Sequence, residues 1–251
     1  SPLFIAREDR EIADEIKKVM ERKGIKFVLG AKVTEVEENI VKYEKDGTIE
    51  EIAGNAILVA VGRKPNVKGL KLENAGVKLT ERGAIAVDDY LHTSVEGIWA
   101  IGDVHGGLQF TYTSLDDYRI IFDELFGNKK YSLKERGAVP YTVFIEPQFS
   151  RVGMTEEEAI QQGYKVKTAK MGAVNPRMKI YGDTDGLIKA VVDAETGKIL
   201  GASLFFRQSG EVINSISLAM MAEKDYTFLR DGIFTHPTMS ETLNELFSLI
   251  K

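Results

Sequence analysis

The feature that most constrains this chain is an apolar run that ends on glycine and aspartate just ahead of a helix. Residues 93–103 read Thr-Ser-Val-Glu-Gly-Ile-Trp-Ala-Ile-Gly-Asp. A turn leads into a short strand at 98–101, and the strand stops at Gly102-Asp103. Helical periodicity takes over at Thr111 and runs to Phe126. Glycine lets a ligand come close to the main chain. The Asp103 carboxylate can accept two hydroxyl hydrogen bonds. The helix start beyond it offers unpaired N–H groups and a partial positive charge. Together these suit the ribityl or ribose chain of a nucleotide. An ordinary strand-ending turn is the alternative reading.

The rest of the amino-terminal half has the same alternating character. Residues 9–23 form an amphipathic helix, with Ile12, Ile16, Val19 and Met20 on one stripe, Asp9 as its cap and Gly24 at its end. Strands are expected at 25–29, 32–36, 39–44 and 48–52, the last two joined by a hairpin turn at Asp46-Gly47. Residues 56–61 are continuously apolar, as a strand covered on both faces would be. That run ends at Gly62-Arg63-Lys64-Pro65-Asn66, where the glycine again permits close approach of a ligand; a plain turn remains open there too. Residues 83–88 read as another strand. On the 111–126 helix, Leu115, Tyr118, Phe122, Leu125 and Phe126 share one stripe, which is expected to be core.

A polar linker at 129–137 and Val139-Pro140 mark a boundary. Beyond it lie strands at 141–145, 166–169, 187–193 and 199–206, the last two forming a hairpin about Glu195-Thr196-Gly197-Lys198. Thr155-Glu156-Glu157-Glu158 is a capping box that opens a short helix. Residues 211–222 are a helix with Val212, Ile213, Ile216 and Met220 on one face. Strand hairpins with helices gathered on one side suit a dimerisation layer.

Only three histidines are present. His236 sits in Thr-His-Pro-Thr-Met-Ser-Glu, where Thr238 and Glu241 have the spacing of a second capping box. Glu241 can reach back to one imidazole nitrogen and leave the other for proton transfer. Equally, Glu241 could only cap the helix and His236 only cover its end. His105 reads as a surface-loop residue and His92 as an exposed strand end; neither has neighbours at metal-ligand spacing. The chain has 251 residues, 43% hydrophobic, and a net charge of −5. A basic footprint for nucleic acid and a polybasic membrane patch are both missing. No apolar run approaches the roughly 20 residues of a membrane span, and the chain reads as cytoplasmic. With no cysteine, it holds no thiol nucleophile or thiolate metal site of its own.

Several of these segments resemble the pyridine nucleotide–disulfide oxidoreductases. Residues 93–103 are similar to that family's second flavin-binding signature. Val-Ala-Val-Gly-Arg-Lys-Pro-Asn at 59–66 resembles the passage from its NAD(P) domain back to its FAD domain. Pro147, Arg151, Val152-Gly153 and Met154-Thr155-Glu156-Glu157 match the opening of its interface domain. His-Pro-Thr-x-Ser-Glu is similar to its acid/base motif in the lipoamide dehydrogenase and glutathione reductase branch. The runs at 106–120 and 234–249 resemble the bacterial reactive-chlorine-resistance flavoproteins, which reduce hypothiocyanous acid.

The resemblance implies an α/β chain, with partial NAD- and FAD-binding Rossmann-type domains at 1–62 and 63–138, followed by an α+β dimerisation domain at 139–251. It implies FAD contacts at Gly102, Asp103, Phe110 and Thr111, an NAD(P) contact at Gly62, and Pro237 beside the partner subunit's flavin across a homodimer. His236 and Glu241 would be catalytic, and the His236-Pro237 bond is expected to be cis. The family's glycine-rich loops and cysteine pair are not in these residues, so the chain is expected to be a carboxyl-terminal portion that binds FAD and NAD(P)H weakly or not at all by itself. The expected activity of the whole enzyme is NAD(P)H-dependent reduction of a small oxidant. Dihydrolipoamide dehydrogenase, and a dimerisation module inactive on its own, are the alternatives.

Overall fold

The computed structural model describes residues 1–251, which divide by contact into two units: 1–57 with 138–251, and 58–137. In the first unit, helix α1 (Arg10–Arg22) starts where Asp9 accepts the Glu11 and Ile12 N–H groups. Strands β1 (Lys32–Glu37), β2 (Ile40–Lys45) and β3 (Thr48–Ala53) form an antiparallel meander. Its β2–β3 turn is Asp46-Gly47, both at positive φ, the backbone twist that a two-residue hairpin needs.

The second unit has little regular structure before its main helix: a short α2 (Leu72–Ala75), a 3₁₀ turn (Gly102–His105) and then α3 (Thr111–Phe126). The chain then returns to the first unit with β4 (Tyr141–Val143), β5 (Phe149–Gly153), α4 (Glu156–Gln161), β6 (Val166–Gly172), α5 (Pro176–Tyr181), β7 (Leu187–Asp193), β8 (Ile199–Phe205), α6 (Ser209–Met221), α7 (Thr227–Arg230) and α8 (Thr242–Ser248). The five strands form one antiparallel sheet in the order β4-β5-β8-β7-β6.

This sheet is covered on both faces. Ile188, Ala190 and Val192 of β7 and Ala202 and Leu204 of β8 share a core with Val212, Ile213 and Ile216 of α6 and Leu243, Leu246 and Phe247 of α8. On the other face, Ile12, Ile16 and Val19 of α1 pack on Phe149 and Phe205, and Ala159 of α4 packs on Val191 and Leu200. Each buried aliphatic side chain there contributes about 1.5–3 kcal/mol relative to exposure. Helices therefore lie on two sides of the sheet, not one. The apolar face of α6 expected to meet a partner is mostly spent on the sheet.

Charge locks the α1 side. Lys189 alternates onto that face of β7, is 7% exposed, and lies 2.9 Å from Asp9, 2.9 Å from Glu11 and 2.6 Å from Glu156. Although burial opposes the charged form, the three carboxylates hold its ammonium well above the ordinary lysine range. Nearby, Arg151 pairs with Glu8 and Glu158, while the Tyr141 hydroxyl donates to Glu8 at 2.7 Å. The Thr155–Glu158 capping box forms as its sequence predicts.

Four expected strands are not strands. Residues 25–29, 56–61, 83–88 and 98–101 have no ladder, apart from single bridges at Leu79–Ile85 and His92–Trp99. The apolar run at 56–61 is open to solvent, with Leu58 90% and Val61 92% exposed. A buried parallel strand needs a neighbour on each side for its N–H and C=O groups, and no strand of this chain lies beside it.

Helix α3 corrects another expectation. Its boundaries are as read from the sequence, but its orientation is reversed. Leu115, Tyr118, Phe122, Leu125 and Phe126 are exposed. The buried side is Thr113, Asp116, Asp117, Ile120 and Glu124.

Candidate functional site

In the unit 58–137, buried polar groups of α3 organise the Gly102-Asp103 turn. Asp117 is 1% exposed and accepts the Gly102 N–H at 2.7 Å, a ring N–H from His105 Nε2 at 3.1 Å, and a guanidinium N–H from Arg136. Arg136 also donates to Asp116 at 2.7 Å, and Tyr131 donates to the same carboxylate. Burial pushes the Asp117 carboxyl up, but His105, Arg136 and the Gly102 N–H outweigh it and hold the group below the usual carboxylate value. His105 is thus an inward, paired residue and not a surface one. Its spacing from Asp117 crosses a loop and a helix start, so no local pattern announced the pair.

His92 is corrected as well. Its Nδ1 lies 3.0 Å from Asp88 and its Nε2 2.8 Å from Glu124, which also takes the Trp99 indole N–H at 3.1 Å. The hydrogen bond with Asp88 leads the effects that raise the imidazole above its ordinary value, against partial burial. These contacts tie the 88–99 segment to α3, where His92 was expected to be an exposed strand end.

Gly102 has φ +71°, and a Cβ there would come 2.8 Å from Ser114 Oγ. Glycine is therefore required by the packing of the turn on α3, whatever binds beside it. Asp103, next to it, is exposed and its carboxylate has no hydrogen-bond partner. At the start of α3, which begins at Thr111, Phe110 offers no capping oxygen and its own N–H is taken by Thr113 Oγ1 at 3.3 Å, while Phe110 is 38% exposed. A free carboxylate and a row of open N–H groups fit a ligand that carries both hydroxyls and acceptors. Gly62 is exposed with φ +126°; its neighbour Arg63 donates to the Gln109 carbonyl at 3.3 Å.

In the unit of 1–57 and 138–251, the turn before α8 holds the second constellation. His236 Nδ1 lies 2.8 Å from Glu241 Oε2. The imidazole is 70% exposed and the carboxylate 15% exposed. Glu241 Oε1 points inward and has no hydrogen-bond partner. The His236-Pro237 bond is cis. The second capping box is not formed: Thr238 Oγ1 donates to the Thr235 carbonyl at 2.6 Å, and α8 starts without a side-chain cap. With Glu241 turned to the ring instead of to its own helix, the arrangement can fix the Nδ1–H tautomer. It leaves Nε2 in solvent to accept or return a proton. No group of three or more His, Cys, Asp or Glu side chains is placed to hold a metal, and no helix is long and apolar enough to cross a membrane.

The chain belongs to the pyridine nucleotide-disulphide oxidoreductases: the family's main model matches residues 1–117 and its dimerisation-domain model matches residues 139–247. Among individual relatives, it is 48% identical over 250 residues to the probable pyridine nucleotide-disulfide oxidoreductase RclA of Escherichia coli, covering 99% of this chain and 57% of that protein. The solved structure of the HOCl-induced flavoprotein disulfide reductase RclA from Escherichia coli superposes with a TM-score of 0.94, over 100% of this chain and 58% of that one. Dihydrolipoyl dehydrogenase of Mycobacterium leprae is 34% identical over 251 residues, covering 98% of this chain and 54% of the relative. The chain thus spans little more than half the length of the curated relatives it matches.

Proposed function

We propose that these residues form the carboxyl-terminal side of an FAD- and NAD(P)H-dependent disulfide reductase that reduces a small oxidant through a cysteine pair carried outside them. The observation that carries the reading is the 2.8 Å His236–Glu241 contact with the opposite ring nitrogen in solvent. In this reading, residues 1–62 and 63–138 complete the NAD(P)- and FAD-binding domains, and 139–251 make the homodimer. The protein works in the cytoplasm. Bound FAD supplies two-electron transfer from the nicotinamide to the disulfide.

This chain's residues do the rest by position and proton handling. Asp103 would take ribityl hydroxyls, Gly102 would admit them, and the main chain at Phe110 and Thr111 would face the flavin. Gly62 would border the nicotinamide nucleotide. Pro237 would lie beside the partner's flavin. His236 accepts a proton from a thiol at Nε2 and later returns it, and Glu241 steadies the imidazolium through Nδ1–H. The favoured oxidant is hypothiocyanous acid or a related reactive chlorine-derived oxidant, on the resemblance of residues 106–120 and 234–249 to the reactive-chlorine-resistance flavoproteins; the 48% relative is itself titled an HOCl-induced reductase. Two thiols and one hypothiocyanous acid give a disulfide, thiocyanate, water and one proton.

The test uses the flavin-loaded dimer that carries the cysteine pair. His236→Gln should slow the thiol half-reaction by about 10²–10⁴-fold and leave flavin reduction by NAD(P)H unchanged in rapid-mixing kinetics. Equal losses in both halves would remove the acid/base role. Turnover with lipoamide exceeding that with hypothiocyanous acid would instead favour the dehydrogenase reading.

A further inference from the structure

The His236–Glu241 turn is only partly held by its own residues, through Thr238 Oγ1 on the Thr235 carbonyl. Helix α8 begins directly after Glu241 without a side-chain cap, and Glu241 is turned towards the imidazole. A further, distant hold comes from the N-cap of α5, more than sixty positions earlier in the chain. Asn175 is 1% exposed. Its Oδ1 accepts the Met178 N–H at 2.9 Å and so caps α5. Its Nδ2 donates to the Thr238 carbonyl at 3.2 Å and to Thr242 Oγ1 at 2.5 Å. Thr242 is 0% exposed. One buried amide therefore grips the chain two residues after His236 and again one residue after Glu241.

We propose that Asn175 is a positioning residue for His236: its amide pins both ends of the 238–242 turn, so that the Glu241 carboxylate meets Nδ1 and the ring presents Nε2 outward. The inference rests on the reading of His236 and Glu241 as a proton-handling pair. The bland alternative is that Asn175 only caps α5. The two roles use different atoms. Capping needs Oδ1 as an acceptor, whereas pinning needs the Nδ2 donors. Aspartate keeps the first and loses the second, and it sets an anion against the Thr238 carbonyl.

The experiment reads the tautomer of neutral His236 from its ring nitrogen shifts in ¹⁵N-histidine-labelled chain, at a pH where the imidazole is unprotonated. The signal is assigned by its loss in His236→Gln. The parent should show a majority of the Nδ1–H form. Glu241→Ala should move the ratio roughly five- to tenfold towards Nε2–H, the scale of one ordinary net hydrogen bond at a solvent-exposed ring. Asn175→Asp should produce most of the same shift while circular dichroism shows a folded chain. Should the Asp variant not fold, Asn175→Ser retains a capping oxygen but cannot span to Thr238, and it should give the same shift. A ratio unchanged in the folded Asn175 variant, with Glu241→Ala effective, overturns the positioning role alone. A ratio unchanged in Glu241→Ala overturns the His236–Glu241 reading beneath it.

Discussion

Replacing Asp117 by asparagine should destabilise the unit of residues 58–137 by about 3 kcal/mol. The carboxylate is 1% exposed and gathers the Gly102 N–H, His105 Nε2 and Arg136. Asparagine has the same shape and can keep an oxygen on Gly102. It must then turn an NH₂ towards Arg136 or His105, both of which are donors. Removing one partner of a buried ion pair costs roughly 3–5 kcal/mol. Arg136 retains Asp116 at 2.7 Å, which places the expectation at the lower end.

With a urea slope of about 1–3 kcal/mol per molar, the unfolding midpoint of this unit should fall by roughly 1–3 M. Trp99, the single tryptophan, lies in this unit and reports it by fluorescence. The acid limb adds a sign. Because the folded-state carboxyl is held below its usual value, its contribution is complete above about pH 4–5 and is lost as pH falls through the depressed native value. The gap between parent and variant should therefore close on acidification. A midpoint change within error at pH 7, or a gap that widens towards pH 3, would refute the reasoning.

Gly102→Ala should cost about 1–3 kcal/mol, since alanine at φ +71° is strained and its Cβ meets Ser114 Oγ; differential scanning calorimetry measures it, and Gly102→Ala with Ser114→Ala should recover only the contact part. Lys189→Met should lower stability by about 3 kcal/mol at pH 7, because three carboxylates lose their shared ammonium. Because the folded-state value is raised, this loss is full below about pH 10, the unfolded lysine value, and shrinks as pH rises from there through the raised folded value, so denaturant melts should show a smaller gap at pH 11 than at pH 8. His92→Ala should cost more stability at pH 5 than at pH 8.5, since an imidazole raised in the folded state stabilises below its unfolded value near 6.5 and ceases to as pH rises through the folded one. Equal losses at the two pH values would remove the charged clamp between Asp88 and Glu124.

The elements legible in the sequence are those decided locally. The Asp9 cap and the Ile12-Ile16-Val19 stripe set α1. Asp46-Gly47 sets a hairpin, and Thr155 with Glu158 sets α4. Each depends on residues within a turn of one another. The failures depend on distant partners. Residues 56–61 have the composition of a buried strand, but burial requires adjoining strands that this chain does not place there. Periodicity located the two faces of α3 but could not say which turns inward, because the inward one is held by hydrogen bonds and ion pairs with His105, Arg136 and Tyr131, all outside the helix. At the candidate site, the His236–Glu241 pairing was visible because five residues of turn bring the groups together. Asn175 was invisible because nothing near it in sequence points to Thr238. The Thr238–Glu241 spacing predicted a cap, and the imidazole won the carboxylate instead.

The reversed orientation of α3 inverts the usual rule of what a helix tolerates. On most amphipathic helices the greasy positions are fragile and the charged ones forgiving. Here a systematic scan of the isolated chain should find silence at Tyr118, Phe122, Leu125 and Phe126 and damage at Asp116, Asp117 and Glu124. Ile120 aside, any score that ranks substitutions by hydropathy alone would misorder this helix.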